Sequence, residues 1–204
     1  MSQIGDPFLG RLAHLFKPVD GWGEFRKGAR PAAVVFVLYR HKAEGHWMVP
    51  FVRRRGDLRD HPGQVALPGG GVHPGESAWQ AAEREVFEEI GVPLGRLVPL
   101  GAGDMIYAAV TNFSVVPFVA YLPDPVESFV HDPSELEGIL AITLDRLLDD
   151  SAWLVSDDPW RFRYLAHEES RVWGLTERIV YGLAPKLRQG LASDQTSDQP
   201  AAAE

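Results

Sequence analysis

Between Gly69 and Val92 the chain reads Gly69-Gly70-Gly71-Val72-His73-Pro74-Gly75-Glu76 and then, from residue 84, Arg84-Glu85-Val86-Phe87-Glu88-Glu89-Ile90-Gly91-Val92. A glycine-rich loop thus feeds an acidic helix. Ser77 with Gln80 makes a capping-box pattern that starts the helix, and Gly91 followed by Pro93 stops it. Ala78, Ala82, Val86 and Ile90 form an apolar stripe at four-residue spacing over 78–90. Positions i, i+3 and i+4 share a helical face, which puts Glu85, Glu88 and Glu89 along one edge beside that stripe. Like charges so placed cost a few tenths of a kcal/mol per pair. A hard divalent cation reverses the cost, because it takes carboxylate oxygens and brings positive charge. The glycines allow backbone to approach a ligand closely, at Gly70 above all, and the Gly69 carbonyl offers a neutral oxygen. Glu76 and Arg84 flank the helix start, where an ion pair lashes loop to helix.

Three glutamates alone would read as a solvated helix face. The full spacing decides against that. Gly70, Glu76, Arg84, Glu85, Glu88, Glu89 and Gly91, at roughly one residue in twenty each, would coincide by chance on the order of once in 10⁹ start positions.

The flanking sequence predicts a mixed sheet covered by helices. Residues 7–16 suit an amphipathic helix with Phe8, Leu12, Leu15 and Phe16 on one side, followed by a connector to about residue 30. The apolar run 32–39 suits a buried strand, and 47–53 a second one in which Pro50 marks a bulge or an edge. Residues 54–77 read as a long functional loop. Further strands are expected near 104–109, 113–121, 138–142 and 161–165. Thr143 is expected to cap a short helix to Leu148, and a last helix to cover 172–188 with Val172, Leu175, Ile179, Leu183 and Leu187 on its apolar face. Trp173 and Gly174 are expected to pack that helix on the sheet. The division is an N-terminal helix and connector (1–30), one catalytic domain (31–189) and a polar tail (190–204) that reads as disordered.

Composition narrows the chemistry. With 204 residues, 45% of them hydrophobic, the chain can bury one substantial core. It has no cysteine, which excludes disulfides, thiolate metal sites and thiol nucleophiles. A net charge of −8 argues against nucleic acid as partner. No stretch is apolar for long enough to suggest a membrane span or a signal peptide, so a cytoplasmic location is expected. Arg53, Arg54, Arg55 and Arg59 cluster just before the glycine loop. Arginine forks bind phosphate bidentately at any biological pH, so a cationic loop opposite an acidic, cation-binding helix would clamp a polyanion. A solubilising role serves equally well for Arg53 and Arg55. His61 suits a backbone hydrogen bond or a substrate contact, and Glu135 an accessory base or a solvent-facing carboxylate.

Residues 70–92 resemble the Nudix box, Gly-x5-Glu-x7-Arg-Glu-U-x-Glu-Glu-x-Gly-U with U aliphatic, at every specified position; Val86 and Val92 are the aliphatic residues. The resemblance implies an α/β/α sandwich with a mixed β-sheet. It implies a diphosphatase that hydrolyses a nucleoside diphosphate linked to another moiety, with Mg²⁺ or Mn²⁺ held by Glu85, Glu88, Glu89 and the Gly69 carbonyl. Glu89 is the preferred base, ahead of Glu85 or Glu135. The stretch Arg54-x4-Arg59-x-His61-x-Gly63-x3-Leu67-Pro68-Gly69-Gly70 is similar to the second signature of the coenzyme A pyrophosphatase branch, from which it departs at Phe51, Val52, Arg55 and Leu67. Residues 112–119 and 172–176 also look like that branch. It implies coenzyme A as substrate, 3′,5′-ADP and 4′-phosphopantetheine as products, and Arg54, Arg59, His61 and Gly70 as substrate contacts. ADP-ribose, NADH, dinucleoside polyphosphates and oxidised nucleotides stay open as alternatives, as do a nucleotide-sensing module without turnover and a homodimeric assembly.

Overall fold

The computed structural model describes residues 5–57, 63–124, 126 and 128–192, so Arg59, His61 and the tail beyond Ala192 lie outside the described residues. Its elements are α1 (Pro7–Leu15), β1 (Arg30–Arg40), β2 (Trp47–Arg54), β3 (Val65–Ala66), β4 (Gly69–Gly71), α2 (Ala78–Ile90), β5 (Val98–Ala102), β6 (Ile106–Ala108), β7 (Phe113–Tyr121), β8 (Leu136–Thr143), α3 (Leu144–Leu148), β9 (Trp153–Val155), β10 (Arg163–His167), β11 (Ser170–Trp173) and α4 (Gly174–Ala192). No helix among the described residues is long and apolar enough to cross a membrane.

β1 organises the molecule. Its side chains alternate between two cores, as the period of two in a strand demands. Ala32, Phe36 and Leu38 join Phe8, Leu9 and Leu12 of α1, Leu144 and Leu147 of α3, and Ile179, Leu183 and Leu187 of α4. Ala33, Val35, Val37 and Tyr39 join Ala78, Ala82, Val86 and Ile90 of α2. β7 runs parallel to β1 and repeats the alternation, with Val115 and Val119 on the first side and Val116, Phe118 and Ala120 on the second. Both strands are covered on both faces, which explains their unbroken apolar runs. Each fully buried large side chain contributes about 1.5–3 kcal/mol by leaving water. The result is the expected α/β/α sandwich, with α2 alone on one face among the described helices and α1, α3 and α4 on the other.

The sheet is mixed. Its described strands run β3-β2-β1-β7-β5, with β4 also on β1, β6 on β7 and β8 on β2. Along one edge β1 is shared. Ala32–Val34 pair with Gly71–Gly69 of β4, whereas Tyr39 and Arg40 pair with Met48 and Trp47 of β2. Between those partners the Val35 amide donates to the Pro68 carbonyl (2.8 Å). Pro50 is paired through Ala141 of β8, while on its other side β2 meets β1 only up to Met48 and β3 only from Val52. It therefore sits where one side of the strand needs no donor, the edge condition that proline requires.

Several expectations need correction. The segment 54–77 is not structureless, since it contains β3 and β4. β5, β9 and β11 were not anticipated. The last helix begins at Gly174, not 172, and continues to Ala192, so Val172 belongs to β11 and not to a helix face. Trp173 does not wedge α4 onto the sheet. It is 41% exposed and its ring lies 5.1 Å from that of Phe162.

Candidate active site

α2 carries the site and is fixed at both ends. Ser77 Oγ accepts from the Gln80 amide (3.1 Å) and the Gln80 side chain accepts from the Ser77 amide (2.9 Å), completing the capping box. Gly91 closes the helix in the left-handed conformation, φ +72°, its amide bonded to the Phe87 carbonyl. The apolar stripe buries Ala82 and Val86 completely, which leaves Glu85, Glu88 and Glu89 along the edge that faces the glycine loop.

Glycine is obligatory in that loop for two separate reasons. A Cβ on Gly69 would come within 2.3 Å of the Ala33 carbonyl oxygen, so β4 lies closer to β1 than any side chain permits. A Cβ on Gly70 would stand 2.4 Å from Glu85 Oε1. The Gly70 backbone is thus the bed on which a carboxylate rests. Gly69 donates its amide to Glu89 Oε2 (2.9 Å), an additional role for a residue expected to act through its carbonyl.

Arg84 ties the loop to the helix, as its spacing from Glu76 predicts. Its Nε donates to Glu76 Oε1 (2.8 Å) and its Nη2 to the Gly71 carbonyl (2.9 Å). Nη1 donates to both Glu85 Oε1 (2.7 Å) and Glu88 Oε2 (3.0 Å). The Arg84 hydrogen bond, with that of the His73 amide, draws Glu76 down to about 2. Arg84 is itself raised, chiefly by Glu76. The ion pairs with Glu85 and Glu88 were not anticipated, although the i, i+4 spacing of Arg84 and Glu88 allows one.

Glu89 is the exceptional carboxylate. It is 8% exposed and its pKa is raised to about 8. Burial is the main cause, the Glu85 and Glu135 charges add to it, and the Gly69 amide and Arg54 oppose it. Glu135, weighed as an accessory base, therefore lies close enough for its charge to be felt at the site.

Of the arginines expected to meet substrate, Arg54 faces this cluster. Its Nε, like that of Arg53, is buried and has no hydrogen-bond partner, and its charge is felt at Glu89. Arg53 points to the other face, with Nη1 donating to Ser170 Oγ (3.2 Å) and Nε 3.3 Å from Glu137 Oε2. Arg55 is held by Asp57 (2.6 Å) and the Pro133 carbonyl (3.0 Å). Arg53 and Arg55, for which phosphate binding and a solubilising role are both open from the sequence, are engaged by protein groups in this arrangement.

The three glutamates share one edge but do not converge. Among the described residues no three acidic or histidine side chains are grouped closely enough to hold a metal ion as they stand. The physical reason is that Arg84 supplies the positive charge that Glu85 and Glu88 require. The donor chemistry nevertheless fits a hard divalent cation: oxygen ligands throughout, with the buried Glu89 accepting from the Gly69 amide. Release of Glu85 and Glu88 would still leave Arg84 anchored to Glu76 and Gly71, so the loop need not come apart for them to act as ligands.

Comparisons with known proteins agree with this architecture. The NUDIX domain profile matches residues 28–165. Nudix hydrolase 3 of Caenorhabditis elegans is 31% identical over 159 residues, covering 68% of this chain and 66% of that protein, so the chain spans just under two thirds of that relative. An uncharacterized Nudix hydrolase NudL of Photorhabdus laumondii is 32% identical over 148 residues, covering 67% of this chain and 75% of its own length. Among solved structures, an Ap4A hydrolase binary complex from C. elegans superposes with TM-score 0.50 at 18% identity, over 81% of this chain and 97% of that one. The M. smegmatis Nudix hydrolase RenU does so with TM-score 0.52 at 17% identity, over 89% and 99%. At such identities the two structures speak for the fold, whereas the domain profile and the sequence relatives speak for kinship: this chain belongs to the Nudix hydrolase family.

Proposed function

We propose that the chain hydrolyses a phosphoanhydride bond in a nucleoside diphosphate derivative, with coenzyme A or a derivative as the first candidate and Mg²⁺ or Mn²⁺ as cofactor. The observation that carries this reading is the meeting of a buried Glu89 carboxylate, bonded to the Gly69 amide, with the charge of Arg54, whose buried Nε has no hydrogen-bond partner. A divalent cation held by Glu85, Glu88 and Glu89, with the Gly69 carbonyl beside them, supplies activation of water and neutralisation of phosphate charge. The remaining roles belong to the chain itself. Glu89, buried and bonded to the Gly69 amide, takes up the proton of the attacking water. Arg54 donates to a phosphate oxygen as charge develops there. Gly69 and Gly70 let the loop lie against β1 and Glu85, and Arg84 with Glu76 holds loop and helix in register.

Coenzyme A is favoured by Arg54, Gly63 and Pro68-Gly69-Gly70, which retain the spacing of the coenzyme A pyrophosphatase signature. The expected products are 3′,5′-ADP and 4′-phosphopantetheine. The test is a panel of coenzyme A, ADP-ribose, NADH, diadenosine tetraphosphate and an oxidised nucleoside triphosphate. Each is assayed with Mg²⁺, with Mn²⁺ and with chelator, in ¹⁸O-labelled water. Cation-dependent release of 3′,5′-ADP in excess over other products supports the reading. Preference for another member of the panel would replace coenzyme A while leaving the chemistry. Binding without turnover of any would identify a sensing module instead.

A further inference from the structure

The pairing of β2 with β8 contains one irregularity, and it lies at the edge of the active site. Arg53 is opposite Gly138 and Arg54 opposite Leu136, so Glu137 has no partner on β2. It is the extra residue of a β-bulge. A one-residue bulge reverses the facing of every side chain beyond it, and that reversal is visible. Leu140 and Ile142 lie in the core beneath α3 and α4, whereas Leu136, an even number of residues away, lies in the core beneath α2. Leu136 and its partner Arg54 consequently share the side on which Glu89 stands.

The bulge is held from outside. The Glu137 carboxylate lies 3.3 Å from Arg53 Nε, an ion pair without a hydrogen bond, and Arg53 Nη1 donates to Ser170 Oγ at 3.2 Å. Ser170 is buried, at the first position of β11, beside β3. A single guanidinium thereby joins β2, the β8 bulge and the small β9–β11 sheet, immediately before the arginine whose charge reaches Glu89.

We propose that Arg53, Glu137 and Ser170 form a clasp that sets the aim of Arg54, making Arg53 a positioning residue for substrate phosphate although it does not touch substrate. Carbon backbone and not charge transmits the effect: the clasp fixes the strand twist at the bulge, and the twist fixes where the next side chain on β2 points. The inference rests on the reading of Arg54 as a phosphate ligand, and its test separates the two.

The first experiment is a double-mutant cycle between Arg53→Gln and Arg54→Gln, using whichever compound of the panel the wild-type protein hydrolyses. Arg53→Gln is expected to lower kcat/KM about tenfold, mostly through KM, and to add less than about twofold in the Arg54→Gln background. Glu137→Ala, at an exposed side chain that folding does not depend on, should reproduce part of the loss. Arg171→Gln, on the exposed side of β11, should leave activity unchanged. Losses that multiply in the double variant would overturn the proposal. The second experiment needs no turnover. The Arg54 Nε–Hε NMR cross-peak, assigned by its disappearance in Arg54→Gln, is expected to shift in Arg53→Gln and in Glu137→Ala but not in Arg171→Gln. A cross-peak unmoved by both clasp variants refutes the clasp even if the proposed activity is also absent. A shifted cross-peak in a protein that turns over nothing would keep the clasp and discard the function.

Discussion

At the scale of single residues, the site is a set of carboxylates distinguished by surroundings alone. Glu76 and Glu89 are the same side chain thirteen positions apart, yet one is drawn down to about 2 by an arginine fork and the other pushed up to about 8 by burial. Glu89→Gln keeps an oxygen for the Gly69 amide and should fold normally, while kcat falls by about 10²–10⁴-fold, the range for losing a general base. An unchanged kcat in that variant would remove Glu89 from the mechanism. For Glu76 the folded pKa lies below the ordinary value of 4.5. Its contribution to stability is therefore present in full above that value and is lost as pH falls toward 2. Thermal melts of wild type and Glu76→Gln should accordingly differ at pH 7 and converge by pH 2–3. A gap that widens on acidification contradicts the Arg84 ion pair.

At the scale of elements, α2 was legible because its signals are local and redundant: a capping box, an apolar stripe and a terminal glycine all name the same boundaries. β4 was not, because three glycines have no strand propensity. The strand forms since Gly69, as only glycine can, lies so close to Ala33, a tertiary fact. The β9–β11 sheet was read only in part, β10 being expected near 161–165 while β9 and β11 were missed, for a related reason. Its strands are three to five residues long, too short for a period to declare itself, and Val172 happens to continue the helical spacing of Leu175 and Ile179. Among the site residues, Glu85, Glu88, Glu89, Glu76 and Arg84 were all readable from spacing. That Arg84 would hold three of those glutamates at once was not, since sequence does not rank competing partners. Nor does it reveal the β8 bulge, whose only mark is that Leu136 changes sides. Deleting Glu137 should restore an unbroken alternation that keeps Leu136 opposite Arg54 in the α2 core, at a cost of only about 1 kcal/mol in urea unfolding. A loss of several kcal/mol would show instead that Leu136 leaves that core when the bulge is removed.

At the scale of the molecule, the two cores meet only through the sheet. α1 belongs to the core opposite the active site, where Gly190 of α4 lies so near that a Cβ there would come 2.7 Å from Leu12. Leu12→Ala is expected to destabilise the fold by about 2–5 kcal/mol while leaving KM of the folded protein unchanged. A KM that moves with it would mean that the sheet does not insulate the two faces. The divided edge of β1 has a different implication. The strand gives its first half to the glycine loop and its second half to β2, and in the gap the Val35 amide is closed only by Pro68. Peeling of the loop away from its strand would expose that proton, together with the β1 groups paired with β4, while the end of β1 paired with β2 stays covered. Deuterium uptake at Val35 should thus run faster than at Val37 and slow when a diphosphate is added, providing a clock for loop breathing that ticks whether or not any bond is being cut.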